Sequence, residues 1–457
     1  MSYPYESQRV TQVLADAALN DLQEIIAIQS LSTDLQYQAN CQKMAEWLFD
    51  FLQEIYFEVE IVKTSLMPIV YAEKINDPSL PTVLIYGHYD VMPASEPGWN
   101  TDPFTLIQKD GQLYGRGTSD DKGQVLIQLY ALKLLHAENF KGLNFKLILE
   151  GEEESGSENL EPFIQNNLEK LKADVVVVSD TTLATEDIPG VTSSVRGSIL
   201  CEVDLKVAKQ DMHSGVFGGM VANPANLMAN LISSIKSFDG KIQIPGFYDD
   251  VKEYSEQFRN NLQIVDHLCF SEDVMDNFEI VKSSQEEGYT AFEGATIRPS
   301  FDINGMVSGF NEEGSKTIVP CTASGKFSFR LVADQDPQKI MAAFKQFVKA
   351  QVPHGVQVSF SEQGEYYPYA TDEQSPYLLA ALDVLEDIFV NKAYLVPCGG
   401  SIPIGALFQN ALTIETVFLG FGLETDNIHG PNEHLSLKNF LRGMDVLCEY
   451  YKKIASI

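Results

Sequence analysis

The sequence predicts an α/β protein in which a mainly parallel β-sheet carries helices on both faces and a smaller α+β domain is inserted. Three observations predict it. Short apolar runs that read as buried strands alternate with helical spacing up to about residue 180. Near residue 193 the pattern changes to long alternating strands separated by amphipathic helices. After residue 369 the first pattern resumes. The expected domains are therefore 1–193 with 365–457, and an insert of 194–364.

The elements follow in order. Val10, Leu14, Leu22, Ile25 and Ile26 recur at helical spacing within 7–31, and 41–56 repeats the pattern. Residues 123–135 and 159–171 read as the next helices. In the insert, 198–208, 325–332 and 355–360 read as strands, and 223–235 and 337–351 as helices, which suits two helices laid on an antiparallel sheet. The charged stretch 237–294 carries no clear periodicity. Beyond it, 377–390 reads as a helix and 411–419 as a strand. No internal repeat or low-complexity segment stands out.

The 457 residues suffice for two or three domains and a sizeable core. Asp and Glu number 64 against 32 Lys and Arg, a formal charge of −32. That balance argues against nucleic acid and against an anionic membrane surface as partners, since both require clustered cations. The six cysteines are scattered, without CxxC or zinc-finger spacing, and read as buried free thiols. The first residues lack a signal-peptide pattern, and no apolar run is long enough to span a bilayer. A reducing, cytoplasmic setting is expected.

Three of the apolar runs end in acidic or imidazole clusters. Val83-Leu84-Ile85-Tyr86-Gly87 leads into His88-Tyr89-Asp90, Phe145-Lys146-Leu147-Ile148-Leu149 into Glu150-Gly151-Glu152-Glu153-Glu154, and four valines into Ser179-Asp180. The crevice beyond the carboxyl ends of parallel strands is where such sheets bind ligands. Carboxylates and an imidazole converging there, with no basic residues beside them, call for a cation. Strand alternation sends His88 and Asp90 to one side, so the carboxylate can hold one ring nitrogen while the other binds metal. Taken alone, His88 would also suit a structural histidine.

Gly115-Arg116-Gly117-Thr118-Ser119-Asp120-Asp121-Lys122-Gly123 lies between a strand and a helix. It lacks the spacing of a phosphate loop. Asp120 could cap the helix, or its two oxygens could bridge two cations about 3.5–4 Å apart. Glu152, Glu153 and Glu154 form either a solvated turn or a ligand beside a general base. Late in the chain His429 precedes a Gly-Pro turn, while His434, beside the N-cap Ser436 of the last helix, reads as a surface residue.

In order and local wording these motifs resemble the dinuclear zinc metallopeptidases of the carnosinase, aminoacylase and glutamate carboxypeptidase family. The likeness runs from Tyr86-Gly87-His88-Tyr89-Asp90-Val91 to the His429 segment. Asp211-Met212-His213-Ser214-Gly215, Ser315-Lys316-Thr317, Phe327-Ser328-Phe329-Arg330 and Gly399-Gly400-Ser401 are most similar to the carnosinase and cytosolic dipeptidase branch. The resemblance implies that His88 and Asp180 bind one metal, Glu154 and His429 the other, with Asp120 bridging. It implies Glu153 as general base, Asp90 orienting His88, and a cis peptide at Asp120-Asp121. His213 and Thr317 would reach the active site of the partner subunit, with His213 steadying the oxyanion. Arg330 and Ser401 would hold the substrate carboxylate end, and the insert would serve as lid and dimerisation domain of a homodimer.

Three ligand carboxylates with two neutral imidazoles carry −3; two divalent ions and a bridging hydroxide bring the sum to zero. The mixed nitrogen and oxygen donors suit Zn2+, with Mn2+ or Co2+ possible. The expected reaction is hydrolysis of a peptide or amide bond in a short peptide. The alternatives are deacylation of N-acyl or N-succinyl amino acids and, remotely, a non-catalytic metal-binding homologue.

Overall fold

In the computed structural model, which describes residues 7, 9–269 and 279–457, the chain forms two compact units. The first comprises Met1–Ser193, Thr371–Val396 and Leu407–Ile457; the second comprises Ser194–Ala370 and Pro397–Ala406.

The first unit is built on the parallel strands Thr82–His88, Asn144–Glu150, Val175–Val178 and Glu415–Phe418. Thr82–His88 lies between Asn144–Glu150 and Val175–Val178, and Glu415–Phe418 pairs with Val175–Val178. Ile69–Lys74 and Glu58–Val62 extend one edge antiparallel. The three strands that end in acidic or imidazole clusters are buried almost throughout, because helices cover both faces of the sheet. Lys122–Ala137 packs against Gln12–Ile26 and Leu437–Ile454, and the latter packs also against Pro376–Phe389. Ser436 caps Leu437–Ile454 by accepting from Asn439 N at 3.3 Å.

Register sets the site. His88 pairs with Glu150, and Tyr86 with Val178, so the strand ends are level and Asp180 follows its strand at the height of His88.

The second unit has a four-stranded antiparallel sheet in the order Ser300–Ser308, Thr322–Leu331, Gly197–Lys206, Gln357–Tyr366. The helices Pro224–Ile235 and Pro337–Gln351 pack on it. Phe301, Phe327, Phe329 and Phe344 form its aromatic centre, with ring centroids 4.9 to 6.1 Å apart.

The expected helix 159–171 is only Leu160–Asn166. Within 411–419 the strand is confined to Glu415–Phe418, since Ile404–Leu412 is helical. A short apolar run fits either element by periodicity alone. The stretch 237–294 contains the helix Glu256–Cys269 and the start of Ala291–Thr296, the latter with a Thr290–Glu293 capping box. Cys41, Cys201 and Cys448 are buried, whereas Cys321 and Cys398 are half-buried.

Glycine is required where the loop before Lys122–Ala137 folds back on it. A Cβ at Gly123 would stand 1.9 Å from Thr118 O. We expect Gly123→Ala to displace this loop at a cost of about 1–3 kcal/mol, as overpacking does, read as a lower melting temperature.

Candidate metal centre

His88, at the end of its strand, is fully buried. Its Nε2 stands 3.0 Å from Asp120 Oδ1 and 3.8 Å from Asp180 Oδ2. The other oxygen of Asp120 lies 2.9 Å from Nε2 of His429, which in turn is 3.3 Å from Glu154 Oε2. One carboxylate thus lies between two imidazoles, each of which has a further carboxylate beside it. The Asp120-Asp121 peptide is cis, and His429 adopts a left-handed φ of 60°. His88, Asp121 and Asp180 form one group whose ligand atoms lie within 4.8 Å of one another; Asp120, Glu154 and His429 form a second.

Asp90 ties these groups together. Its Oδ1 is 3.3 Å from His88 Nδ1, and its two oxygens accept from the backbone amides of Glu153 and Glu154 at 3.3 and 3.0 Å. A single carboxylate orients the imidazole and sets the turn that presents both glutamates. The three consecutive acids have separate environments. Glu152 is buried as a structural acceptor from Met67 N and Asn159 Nδ2. Burial pushes Glu153 up to about 7 and also raises Glu154.

Electrostatics shows what the cluster lacks. Burial drives Asp180 and Asp121 well above the ordinary carboxylate range. The contacts with Asp120 and Glu154 raise His429 to about 10, and those with Asp120 and Asp90 hold His88 well above its usual value against burial. Among the described residues no lysine or arginine pairs with these carboxylates, and the buried oxygens Glu154 Oε1 and Asp121 Oδ1 have no hydrogen-bond partner. Buried charge requires compensation. Nitrogen and oxygen donors in two adjoining groups, some with an open lone pair, fit divalent cations.

Against known proteins, residues 84–453 match Peptidase family M20/M25/M40. The chain belongs to this family. It is similar to the Beta-Ala-His dipeptidase of Rattus norvegicus, with 32% identity covering 85% of this chain and 80% of that protein. The Cys-Gly metallodipeptidase dug1 of Schizosaccharomyces pombe is 30% identical over 97% of this chain and 96% of its own. An M20 family metallo-carboxypeptidase, Sso-CP2 of Sulfolobus solfataricus, superposes with a TM-score of 0.81 at 30% identity, covering 96% and 99% of the two chains. This M20 chain is a metal-dependent hydrolase.

In its second unit, Met212–His213 pairs with Ile318–Val319, and Ser214 N donates to Thr317 O at 3.0 Å, so His213 and Thr317 are neighbours on an exposed ladder. Gly215 N donates to His213 Nδ1 at 2.9 Å, which leaves the proton of the neutral ring on Nε2. Arg330 Nη1 donates to Ser401 Oγ at 2.7 Å.

Sequence reading missed several supports. His434 is half-buried in the strand His434–Ser436, its ring against Tyr114, and belongs to neither metal-ligand group. Asp121 accepts from His88 N at 3.2 Å, and its direct adjacency to Asp120 was the available signal. Glu433 has no side-chain exposure; it accepts from Arg116 Nη1 at 2.8 Å and from the amides of Gly117, Ser119 and Asp120 at 3.0 to 3.1 Å. Gly117, at φ 89°, makes this wrap possible. Glu433 stands only four positions after His429, yet nothing local distinguishes it from a surface acid.

Replacing Asp90 by Asn removes the acceptor pair that sets His88 and the Glu153–Glu154 turn. We expect metal affinity to fall about ten- to hundredfold, measured by competition with a chromogenic chelator. Glu433→Leu leaves buried Arg116 with only Glu96 and the Pro93 carbonyl as partners and frees three loop amides, and the loss of stability should be about 1–3 kcal/mol by denaturant unfolding.

Proposed function

We propose that this chain is a dipeptidase that cleaves short peptides with two divalent cations, Zn2+ foremost, held by its first unit. The observation that carries this reading is the position of Asp120, with one oxygen on each imidazole. His88 and Asp180 would hold one cation, His429 and Glu154 the other, and Asp120 would serve both. Bound there, the ions would polarise the scissile carbonyl and make hydroxide available near neutral pH.

Glu153 is the general base. The amide contacts of Asp90 hold its turn, and its raised proton affinity suits it to take a proton from the attacking water and return it to the leaving amine. Arg330, steadied on Ser401, receives the substrate's terminal carboxylate as a charge-assisted pair. Nε2–H of the partner subunit's His213 donates to the developing oxyanion, beside Thr317. That role requires a homodimer, which the edge strand Ser300–Ser308 supports, since it presents exposed Ile303, Met306 and Val307.

Buried thiols at Cys41, Cys201 and Cys448, none in a disulfide, support a cytoplasmic setting. Among the described residues no helix is long and apolar enough to cross a membrane.

Chelation should abolish dipeptide hydrolysis, and Zn2+ or Mn2+ should restore it. A panel of dipeptides against N-acyl amino acids decides the substrate class, because faster turnover of the acylated compounds would make the chain a deacylase. Glu153→Ala should keep its metal, by elemental analysis, and lose about 10²–10⁴ in kcat. Near wild-type turnover would remove Glu153 from this role. Light scattering that finds an active monomer would exclude His213 acting between subunits.

A further inference from the structure

Arg196 lies beside Arg330 in the second unit without a counter-ion. Its backbone N–H donates to Gly400 O at 2.9 Å and its Nε to Gly399 O at 2.8 Å, which fixes the guanidinium against that loop. Among the described residues it forms no ion pair; Asp302 acts on it only at longer range. Burial, and then the like charge of Arg330, holds its pKa down to about 10. Two guanidinium groups held close together favour an anion.

Beside Arg196 is a cavity of about 220 Å³, lined by Ser283, Ser284, Gln285, Ala295 and Ser300 as well as by Arg196 itself. Ala291 and Gly294 complete a lining that mixes polar and apolar surface, and among the described residues Gln285 Oε1 is buried without a hydrogen-bond partner. The cavity adjoins the Arg330–Ser401 pair through two links. Ser300 is the ladder partner of Arg330. Gly399 rests so closely on Ala295 that a Cβ would stand 2.6 Å from Ala295 O, and Ser401 lies two residues further on.

We propose that this cavity receives the side chain of the substrate's C-terminal residue and that Arg196 selects an acidic one, so that the preferred substrates are dipeptides ending in Glu or Asp. The inference rests on the reading of Arg330 and Ser401 as the terminal-carboxylate site. With Arg330 engaged by that carboxylate, Arg196 is left to pair with a second one. The Ser283 and Ser284 hydroxyls donate to the same group, whereas Ser300 Oγ donates to Asp302 Oδ2 at 3.4 Å.

The test compares Ala-Glu, Ala-Asp, Ala-Gln and Ala-Leu on the metal-loaded protein. Because a charge-assisted pair replaces a neutral contact, kcat/KM for Ala-Glu should exceed that for Ala-Gln by about tenfold or more. Arg196→Gln should bring the ratio to about one, chiefly through KM for Ala-Glu. Gln285→Glu places a competing carboxylate in the cavity and should suppress the same preference with an unchanged melting temperature. It decides the matter if Arg196→Gln fails to fold. Equal wild-type rates on Ala-Glu and Ala-Gln overturn the selectivity, as does an Arg196→Gln variant slowed equally on all four peptides. A protein that cleaves none of the four overturns the dipeptidase reading as well.

Discussion

The structure of the first unit is organised around a concentration of buried negative charge. Asp90, Asp120, Asp121, Glu154 and Asp180 gather beyond the ends of parallel strands, where His88 and His429 meet only part of their charge. An isolated carboxylate in such a place would protonate or draw in a counter-ion. A divalent cation would supply that counter-charge, and the surrounding shell of hydrogen bonds holds the donors in position for one.

That shell is supplied largely by backbone contacts. Asp90 accepts from two successive amides of the Glu153–Glu154 turn, and Glu433 accepts from three amides of the loop that carries Asp120. Lys122 secures the same loop from the opposite side by donating to the carbonyls of Ile25 and Ile28, at 2.8 and 2.6 Å, where the first helix ends. Burial lowers Lys122 to about 7, so its two short hydrogen bonds stand in for the water it has lost. A carboxylate whose own backbone is held by other buried groups has few alternative positions, which suits a ligand shared between two cations.

Much of this was legible in the chain. The buried strands could be read from continuous apolar runs, and their chemistry from the acids and imidazole that follow each run directly. His88 and Asp180 stand at strand ends and Glu154 in the turn that follows one, where the fold class alone predicts a ligand site. The helices Pro224–Ile235 and Pro337–Gln351 were equally plain, because a helical period and a proline in the first turn coincide. The helix Ile404–Leu412 was not, as its apolar run suits a strand as well. Nor was Glu433, whose importance comes from amides more than three hundred residues away in sequence.

By itself the sequence determined the kinds of donor, their order and the α/β architecture that carries them, because periodicity and strand-end position are local properties. Only the tertiary structure decided which acids gather around the two imidazoles and which support the loops. It alone placed Asp121 behind His88 and Glu433 beneath Asp120, and it alone set Arg196 beside Arg330. The physical reason is that a carboxylate's role depends on its burial and on the donors facing it. Those are supplied by segments remote in the chain and fixed in register only when the sheets form.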